Sequence, residues 1–284
     1  MTIFDLISDK NYQHKNVLYK IISHVCGIKK DDMIKHYDDA ISQDKLDKIV
    51  SMYTRYSQDK EPLEYIVGYV EFLWNKFILD NRSLIPRAET EYMIQAVTDY
   101  IQINHWSRYD VRDVGCGCGV LWLSVALHNE ASINLLILAD SQQDCLDLTW
   151  QNVDKYYDTP MSMDIKVLKS DLLDFARDLD SEYKVILVSN LPYIPDDTFE
   201  QNADESAKKR EPRVAFLWWK DWLDLYRRMF DQLLDLDTDC MMFLEMMTWQ
   251  VEILEEEYSD KIDFNIVKTF HFNIVIVKGE LIKF

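Results

Sequence analysis

Asn190, Leu191, Pro192 and Tyr193 are the residues of this chain whose types and order most directly imply chemistry. They follow Val185, Ile186, Leu187, Val188 and Ser189, an apolar run whose length and β-branched content predict a buried parallel strand. A polar amide just past such a strand lies at the carboxyl edge of an open α/β sheet, where ligands bind. There the Asn190 side-chain carbonyl and the Leu191 main-chain carbonyl can accept both hydrogens of one NH2 group. Pro192 stiffens the loop by fixing φ, and Tyr193 offers a flat face for a planar group to stack on. The four residues read as a clamp for a planar amine or amide nitrogen, catalytic and substrate-binding at once. A plain strand-ending turn would use Pro and Asn as well.

A second constellation precedes the clamp. Residues 111–114 predict a short strand, residues 120–126 a helix, and Gly115, Cys116, Gly117, Cys118 and Gly119 join them. Strand, glycine loop and helix form a unit that lets backbone approach a cofactor closely. Val120 stands where a dinucleotide fingerprint needs its third glycine, which speaks against an NAD-type oxidoreductase. A strand over residues 133–139 ends at Asp140, whose carboxylate can accept hydrogen bonds from both hydroxyls of a ribose. A strand over 165–168 leads through Ser170 to Asp171, with Leu172 beside it, where an acid can meet the amino group of adenine. Either acid by itself could be an exposed loop carboxylate. Glycine loop, ribose acid, adenine acid and amide clamp, with Asn190 also at the cofactor's edge, resemble in order the strand ends of a class I S-adenosylmethionine methyltransferase. The clamp is similar to the Asn-Pro-Pro-Tyr signature of amino-methyltransferases, with Leu191 in place of the first Pro.

Composition limits the alternatives. The 284 residues suit one large or two smaller domains, and 48% hydrophobic content is enough for a core. No run is long enough to span a membrane and no signal peptide opens the chain, so a cytoplasmic protein is expected. Five scattered cysteines without a C-x-x-C pair fit a reducing compartment, and no metal site is expected; Cys116 and Cys118 serve as small residues in the loop. A formal net charge of −19 argues against a protein that wraps nucleic acid. Lys208, Lys209 and Arg210 form the one basic cluster, read as a solvated loop face that could flank the substrate.

The elements that must position the site divide into three stretches. Residues 1–60 predict a small helical bundle: Val17, Leu18, Ile21, Ile22 and Val25, then Leu46, Ile49, Val50 and Tyr53, repeat at helical spacing, and Gly27 marks a stop. The bundle carries no catalytic group, so it either recognises a partner or only covers the catalytic domain. Residues 61–86 form a linker in which alternation over 65–72 and 76–79 predicts a β-hairpin. Residues 87–284 form the catalytic domain, opening on a helix with Met93, Ala96, Val97, Tyr100 and Ile101 on one face. Glu89 and Glu91 in its first turn could simply complement the helix dipole.

Six segments in order, GYVEF (68–72), LIPRAETE (84–91), DVGCGCG (113–119), SNLPYIP (189–195), EPRVAF (211–216) and DWLDLYRRMF (221–230), resemble the bacterial release-factor glutamine methyltransferases. The resemblance covers nearly the whole chain. It implies a Rossmann-like α/β domain with a seven-stranded, mostly parallel sheet behind a helical N-terminal domain and a β-hairpin. It implies S-adenosylmethionine as cofactor and a class I peptide chain release factor as partner, methylated on the Gln side-chain amide of its Gly-Gly-Gln motif by a monomeric enzyme that needs no direct nucleic-acid contact. By the same resemblance Arg87, Glu89 and Glu91 lie at the entrance for the Gln loop. The alternatives are a ribosomal-protein glutamine methyltransferase, an N6-adenine nucleic-acid methyltransferase using the same clamp, or a binding module descended from such an enzyme. Residues 268–273 make a shorter connection than the family's before the last strand.

The tryptophans stand apart. The chain has eight Trp and six Gly, whereas average usage of ~7% would give roughly twenty glycines. Trp74, Trp122, Trp218, Trp219, Trp222 and Trp249 fall where the resemblance calls for Gly or a small residue. An indole cannot replace Gly where φ is positive or backbones touch. The pattern suggests a gene in which UGA encodes Gly, read here as Trp. Release at UGA would then be dispensable, leaving the other class I factor as the substrate.

Overall fold

The computed structural model describes residues 1–104, 108–157, 162–178, 181–194, 199–201, 205–216, 222–236 and 238–282. These fold as two compact units, residues 1–69 with the helix Glu205–Arg210, and residues 70–203 with 211–284.

The first unit is built from α1 (Ile3–Ser8), α2 (Lys15–Cys26), α3 (Gln43–Ser57) and α4 (Leu63–Val67). Thr2 and Asp5 cap α1 reciprocally, and Gly27, at φ 72°, ends α2 in the left-handed turn that its missing Cβ allows. Leu18, Ile21, Ile22, Ile49, Met52 and Tyr53 meet with Ile3, Leu6, Met33, Ile66 and Val67 in one core. Val50, placed on the buried face by its spacing, is exposed. Residues 65–67, expected as strand, close a one-turn helix between Pro62 and Gly68 (φ 78°). The basic cluster, expected as loop, is the last turn of a helix that packs with this unit; Arg210 donates to the Asp59 carbonyl at 3.2 Å, and Lys209 pairs with Glu205 at 3.3 Å.

The second unit opens within the hairpin of β1 (Tyr69–Phe72) and β2 (Asn75–Ile78), at Val70, and the hairpin turn holds Leu73 at φ 44° and Trp74 at φ 69°. Next come α5 (Ala88–Asn104) and the strands β3 (Tyr109–Val114), β4 (Ile133–Asp140), β5 (Asp164–Lys169), β6 (Lys184–Ser189), β7 (Cys240–Met247), β8 (Ile262–Thr269) and β9 (Ile274–Leu281). They form a seven-stranded sheet in the order β5-β4-β3-β6-β7-β9-β8. The first five run parallel, and β9 pairs antiparallel with both β7 and β8. Helices α6 (Val120–Asn129) and α7 (Gln143–Tyr157) link β3 to β4 and β4 to β5. All six residues of β3 are buried, as a central parallel strand requires. This is a Rossmann-like α/β fold with the seven-stranded, mostly parallel sheet that the sequence leads one to expect.

The register positions the site. From β3 the chain proceeds outward through β4 and β5, then returns to place β6 on the other flank of β3. The direction therefore switches between β3 and β6, where open α/β sheets bind ligands. Val114 pairs with both Ala139 and Ser189, and Asp140 with Lys169. The glycine loop, Asp140, Ser170 with Asp171, and Asn190 thus emerge along one sheet edge.

Candidate functional site

The glycine loop is tied down from three sides. Gly115 and Cys116 donate to the Ala139 carbonyl at 2.9 and 3.0 Å, and Gly117 donates to Asp140 Oδ2 at 3.0 Å. Thr149 and Asn152, on α7, donate to the carbonyls of Gly117 and Cys118 at 2.7 and 3.0 Å. At Gly117 (φ 56°) a Cβ would stand 2.9 Å from Ser83 Oγ, and at Gly119 (φ 75°) 2.9 Å from Thr149 Cγ2. Any side chain would therefore be strained twice, by φ and by contact. Cys116 and Cys118 are buried, and burial raises their thiols, Cys118 to about 11.

Two cavities open beside this edge. One, of about 390 Å³, is lined by Gly115, Gly117, Asp140, Ser141, Gln142, Cys145, Ser170, Asp171 and Leu172, with Ser83 and Leu84 from the chain before α5. The other, of about 220 Å³, is lined by Arg87, Glu89, Tyr193, Phe216, Glu245 and Ile274 among others. Asn190, Leu191, Leu84 and Ala215 line both. A site for two reactants needs such an arrangement, with separate chambers and one shared wall.

In the larger cavity Asp140 accepts from the Gln142 N–H at Oδ1 (2.8 Å) and from Gly117 at Oδ2. These bonds favour its charged form, but burial outweighs them and raises its pKa. Each oxygen keeps a lone pair for a hydroxyl donor. Asp171, which lines the cavity, has its Oδ2 held at 2.5 Å by Arg228, from the helix α9 (Asp224–Leu236; α8 being Glu205–Arg210), so Oδ1 is the oxygen that Arg228 does not engage. Leu172 is buried in left-handed backbone at φ 51°. The Cys145 thiol donates to the Arg82 carbonyl and is pushed by burial to about 12, so it lines the cavity as a neutral group. Beneath the loop Asp113 is fully buried, and neither of its oxygens has a hydrogen-bond partner among the described residues. Burial, with the nearby Asp140 charge, pushes its carboxyl well above the usual range.

The smaller cavity is organised by Glu245, on β7. Its carboxylate accepts from the Tyr193 hydroxyl at 2.9 Å and the Thr90 hydroxyl at 3.0 Å, and the Asn190 side chain also reaches it. Asn190 Nδ2 lies 3.5 Å from Thr90 Oγ1. Tyr226 donates to the Glu245 carbonyl at 2.6 Å, and Gln250, on α10 (Thr248–Tyr258), donates to the Tyr193 carbonyl at 3.3 Å. Arg87 is held by Glu211 at 2.8 Å, and the other oxygen of Glu211 accepts from the Ile85 N–H. This contact joins the LIPRAETE and EPRVAF segments.

The sequence-derived residues therefore fall into two groups that touch. Gly115, Gly117, Asp140, Asp171, Leu172 and Pro192 line the first cavity, Arg87, Glu89 and Tyr193 the second, and Asn190 and Leu191 both. Cys116, Cys118 and Gly119, in the same loop, line neither cavity. Glu91 is directed elsewhere: its carboxylate accepts from the Leu73 N–H of the hairpin at 3.5 Å. Sequence reasoning missed Thr90, Glu211 and Glu245. A lone acid inside the apolar run Cys240–Met247 was a legible signal, because a buried carboxylate needs partners.

Of the anomalous tryptophans, Trp218 and Trp219 lie outside the described residues. Trp74 is 98% exposed on left-handed backbone. Trp122 is buried, its indole N–H without an acceptor among the described residues. Trp222 and Trp249 pack edge to face with centroids 5.8 Å apart. No helix among the described residues is long and apolar enough to cross a membrane.

No family model matches the chain. The release factor glutamine methyltransferase of Francisella tularensis is 30% identical over 271 residues, covering 94% of this chain and 90% of that protein. The protein of that name from Lactococcus lactis is 30% identical over 222 residues, 76% of each chain, and that from Bacillus cereus 26% over 227, 79% of this chain and 76% of the other. Among solved structures, the human METTL16 catalytic domain in complex with a MAT2A 3'UTR hairpin superposes with a TM-score of 0.53 at 13% identity, covering 84% of this chain and 80% of that one. The N-terminal domain of human METTL16 in complex with SAH gives 0.52 at 14%, covering 96% of each. The structural likeness is one of fold.

Proposed function

The chain belongs to the release factor glutamine methyltransferases, and from that premise we propose that it transfers the methyl group of S-adenosylmethionine to the Gln side-chain amide nitrogen in the Gly-Gly-Gln motif of a class I peptide chain release factor. The observation that carries this reading is the pair of cavities sharing Asn190 and Leu191. One cavity has cofactor chemistry, the other room for a side chain, and the shared wall carries the amide acceptors.

The residues present fit S-adenosylmethionine. The volume of about 390 Å³ is in the range of small-molecule sites. The wall at Gly115 and Gly117 admits close approach, Asp140 has lone pairs for ribose hydroxyls, and Asp171 Oδ1 is available to an adenine amino group. When bound, the cofactor supplies an electrophilic methyl group on a sulfonium. The neutral Cys145 thiol does not compete for it as a thiolate would.

The protein's own part is orientation and electrostatics. An amide nitrogen is a weak nucleophile, its lone pair delocalised into the carbonyl. Asn190 Oδ1 and the Leu191 carbonyl accept its two N–H groups and aim the nitrogen through the shared wall. As positive charge grows on nitrogen in the transition state, both bonds strengthen, and that difference is what accelerates the reaction. Tyr193, its hydroxyl pinned by Glu245, packs on the amide plane. Near-attack geometry contributes most of the remainder, and the proton leaves to water after transfer. Methyl transfer from labelled S-adenosylmethionine to a release factor, beside a ribosomal protein and DNA, tests the proposal. Label on the Gly-Gly-Gln glutamine is expected; label only on DNA or the ribosomal protein would replace it with one of the other readings.

A further inference from the structure

Glu245 is the only acid in a strand otherwise made of Cys, Met, Phe and Leu, and it is 2% exposed. A carboxylate at that depth persists only when it is hydrogen-bonded. Glu245 Oε1 accepts from Tyr193, Oε2 accepts from Thr90, and the Asn190 side chain is a third neighbour. These bonds have a direction. An ionised carboxylate only accepts, so every group facing it must donate. The Thr90 hydroxyl has its one hydrogen committed to Glu245, so toward Asn190 it too can only accept. Two acceptors therefore face the Asn190 amide from the same side, and its NH2 must turn toward them, 3.5 Å from Thr90 Oγ1. Oδ1 is left for the chamber. Nothing in an Asn side chain alone would choose that orientation, since its two ends are nearly equal in size.

We infer that Glu245 is a positioning residue: with Thr90 as relay, it fixes the flip of Asn190 so that the chamber presents oxygen acceptors and selects a substrate group carrying two N–H donors. The same carboxylate holds the Tyr193 ring by its hydroxyl. This inference rests on the reading of Asn190 as the amide clamp.

Protonation would undo the device, because a neutral carboxyl carries a donor of its own. Burial raises the Glu245 pKa and the like charge of Glu89, in the first turn of α5, adds to the rise; Tyr193, Thr90 and Asn190 oppose it by hydrogen bonding. The Tyr226 hydroxyl, from α9, donates to the main-chain oxygen of Glu245, and the Glu245 charge helps push the Tyr226 pKa up. Arg87 lines the same chamber, its charge engaged by Glu211.

The test is Glu245→Gln, which keeps size and shape but offers Asn190 a donor as well as an acceptor. Full-length wild type and variant are compared for S-adenosylhomocysteine affinity by calorimetry, for KM and kcat with a release factor, and for kcat across pH. The expected result is a kcat lower by roughly 10- to 100-fold, unchanged affinity and KM, and loss of the acid limb that the wild-type profile shows. If the variant does not bind S-adenosylhomocysteine, Thr90→Val, which removes the relay alone, is measured instead, with the same split expected. An active wild type with kcat undiminished in the variant overturns the positioning role and leaves the clamp standing. A wild type that methylates no release factor removes the clamp reading, and this inference with it.

Discussion

Asn190→Ala removes one of the two acceptors proposed for the substrate amide and almost nothing else. The side chain is half-buried, its bond to Thr90 is at the 3.5 Å limit, and Glu245 keeps the Tyr193 and Thr90 hydroxyls as donors when this third neighbour is gone, so folding loses little. The Leu191 carbonyl, Tyr193 and the glycine loop all remain. What changes is the transition state, in which one N–H of a nitrogen gaining positive charge is left without an acceptor in a narrow chamber. Loss of one preorganised partner at a developing charge costs about 3–4 kcal/mol, or roughly 10²–10³ in kcat. In the ground state the same N–H is neutral, and its loss is worth about 1 kcal/mol, so KM should rise far less than kcat falls. The Asp140–Gly117 pair proposed to hold the cofactor is untouched. Single-turnover methyl transfer to a release factor, with calorimetry of S-adenosylhomocysteine binding, separates the two effects. A kcat within tenfold of wild type, or a loss of cofactor affinity equal to the loss of rate, would refute the clamp.

Asp140→Ala should weaken S-adenosylhomocysteine binding by roughly 10–100-fold, because it removes the acceptor proposed for the ribose hydroxyls and frees the Gly117 N–H; unchanged affinity would take Asp140 out of the site. Asp113 gives a pH prediction. Its pKa is raised in the fold, so the native state binds a proton that the unfolded state has released. Stability therefore falls as pH rises from the unfolded value of about 3.9 toward the folded one. Asp113→Asn should flatten that slope and raise stability at pH 8 by at least about 1 kcal/mol; a wild-type unfolding free energy from urea titration that is the same at pH 5 and pH 8 would contradict the raised carboxyl. Trp74→Gly should stabilise by about 1 kcal/mol, since φ 69° strains any L-residue and the 98% exposed indole contributes no packing. A lower melting temperature would argue against strain there. UGG codons at 218, 219 and 222 would end the recoding idea.

Much of the site could be read in the sequence because each part lies next to a strand that announces itself. The runs ending at Ala139 and Ser189 are apolar and short, so the polar residue after each falls at the carboxyl edge of the sheet, and the strand ending at Val114, though it carries Arg112 and Asp113, is marked by the three glycines that follow it. The misreadings have local causes. Residues 65–67 alternate like a strand, but Pro62 and Gly68 enclose them so closely that only one helical turn fits. The helix Glu205–Arg210 belongs with the first unit although residues 70–203 of the sheet domain intervene in the chain, and no periodicity encodes such a return.

Thr90, Glu211 and Glu245 were missed for a different reason. None acts on its sequence neighbours: Glu245 meets Thr90 across 155 positions and Tyr193 across 52, and Glu211 meets Ile85 across 126. A motif scan finds groups whose chemistry is set by adjacent residues, and these acquire theirs only when β6, β7 and the start of α5 come together. The physical constraint they satisfy was still visible. An acid in an apolar strand must find donors, and donors facing a carboxylate must in turn present their own acceptors outward. That chain of compulsory directions links a buried charge, which nothing in the clamp motif mentions, to the orientation of the one amide on which the proposed reaction depends.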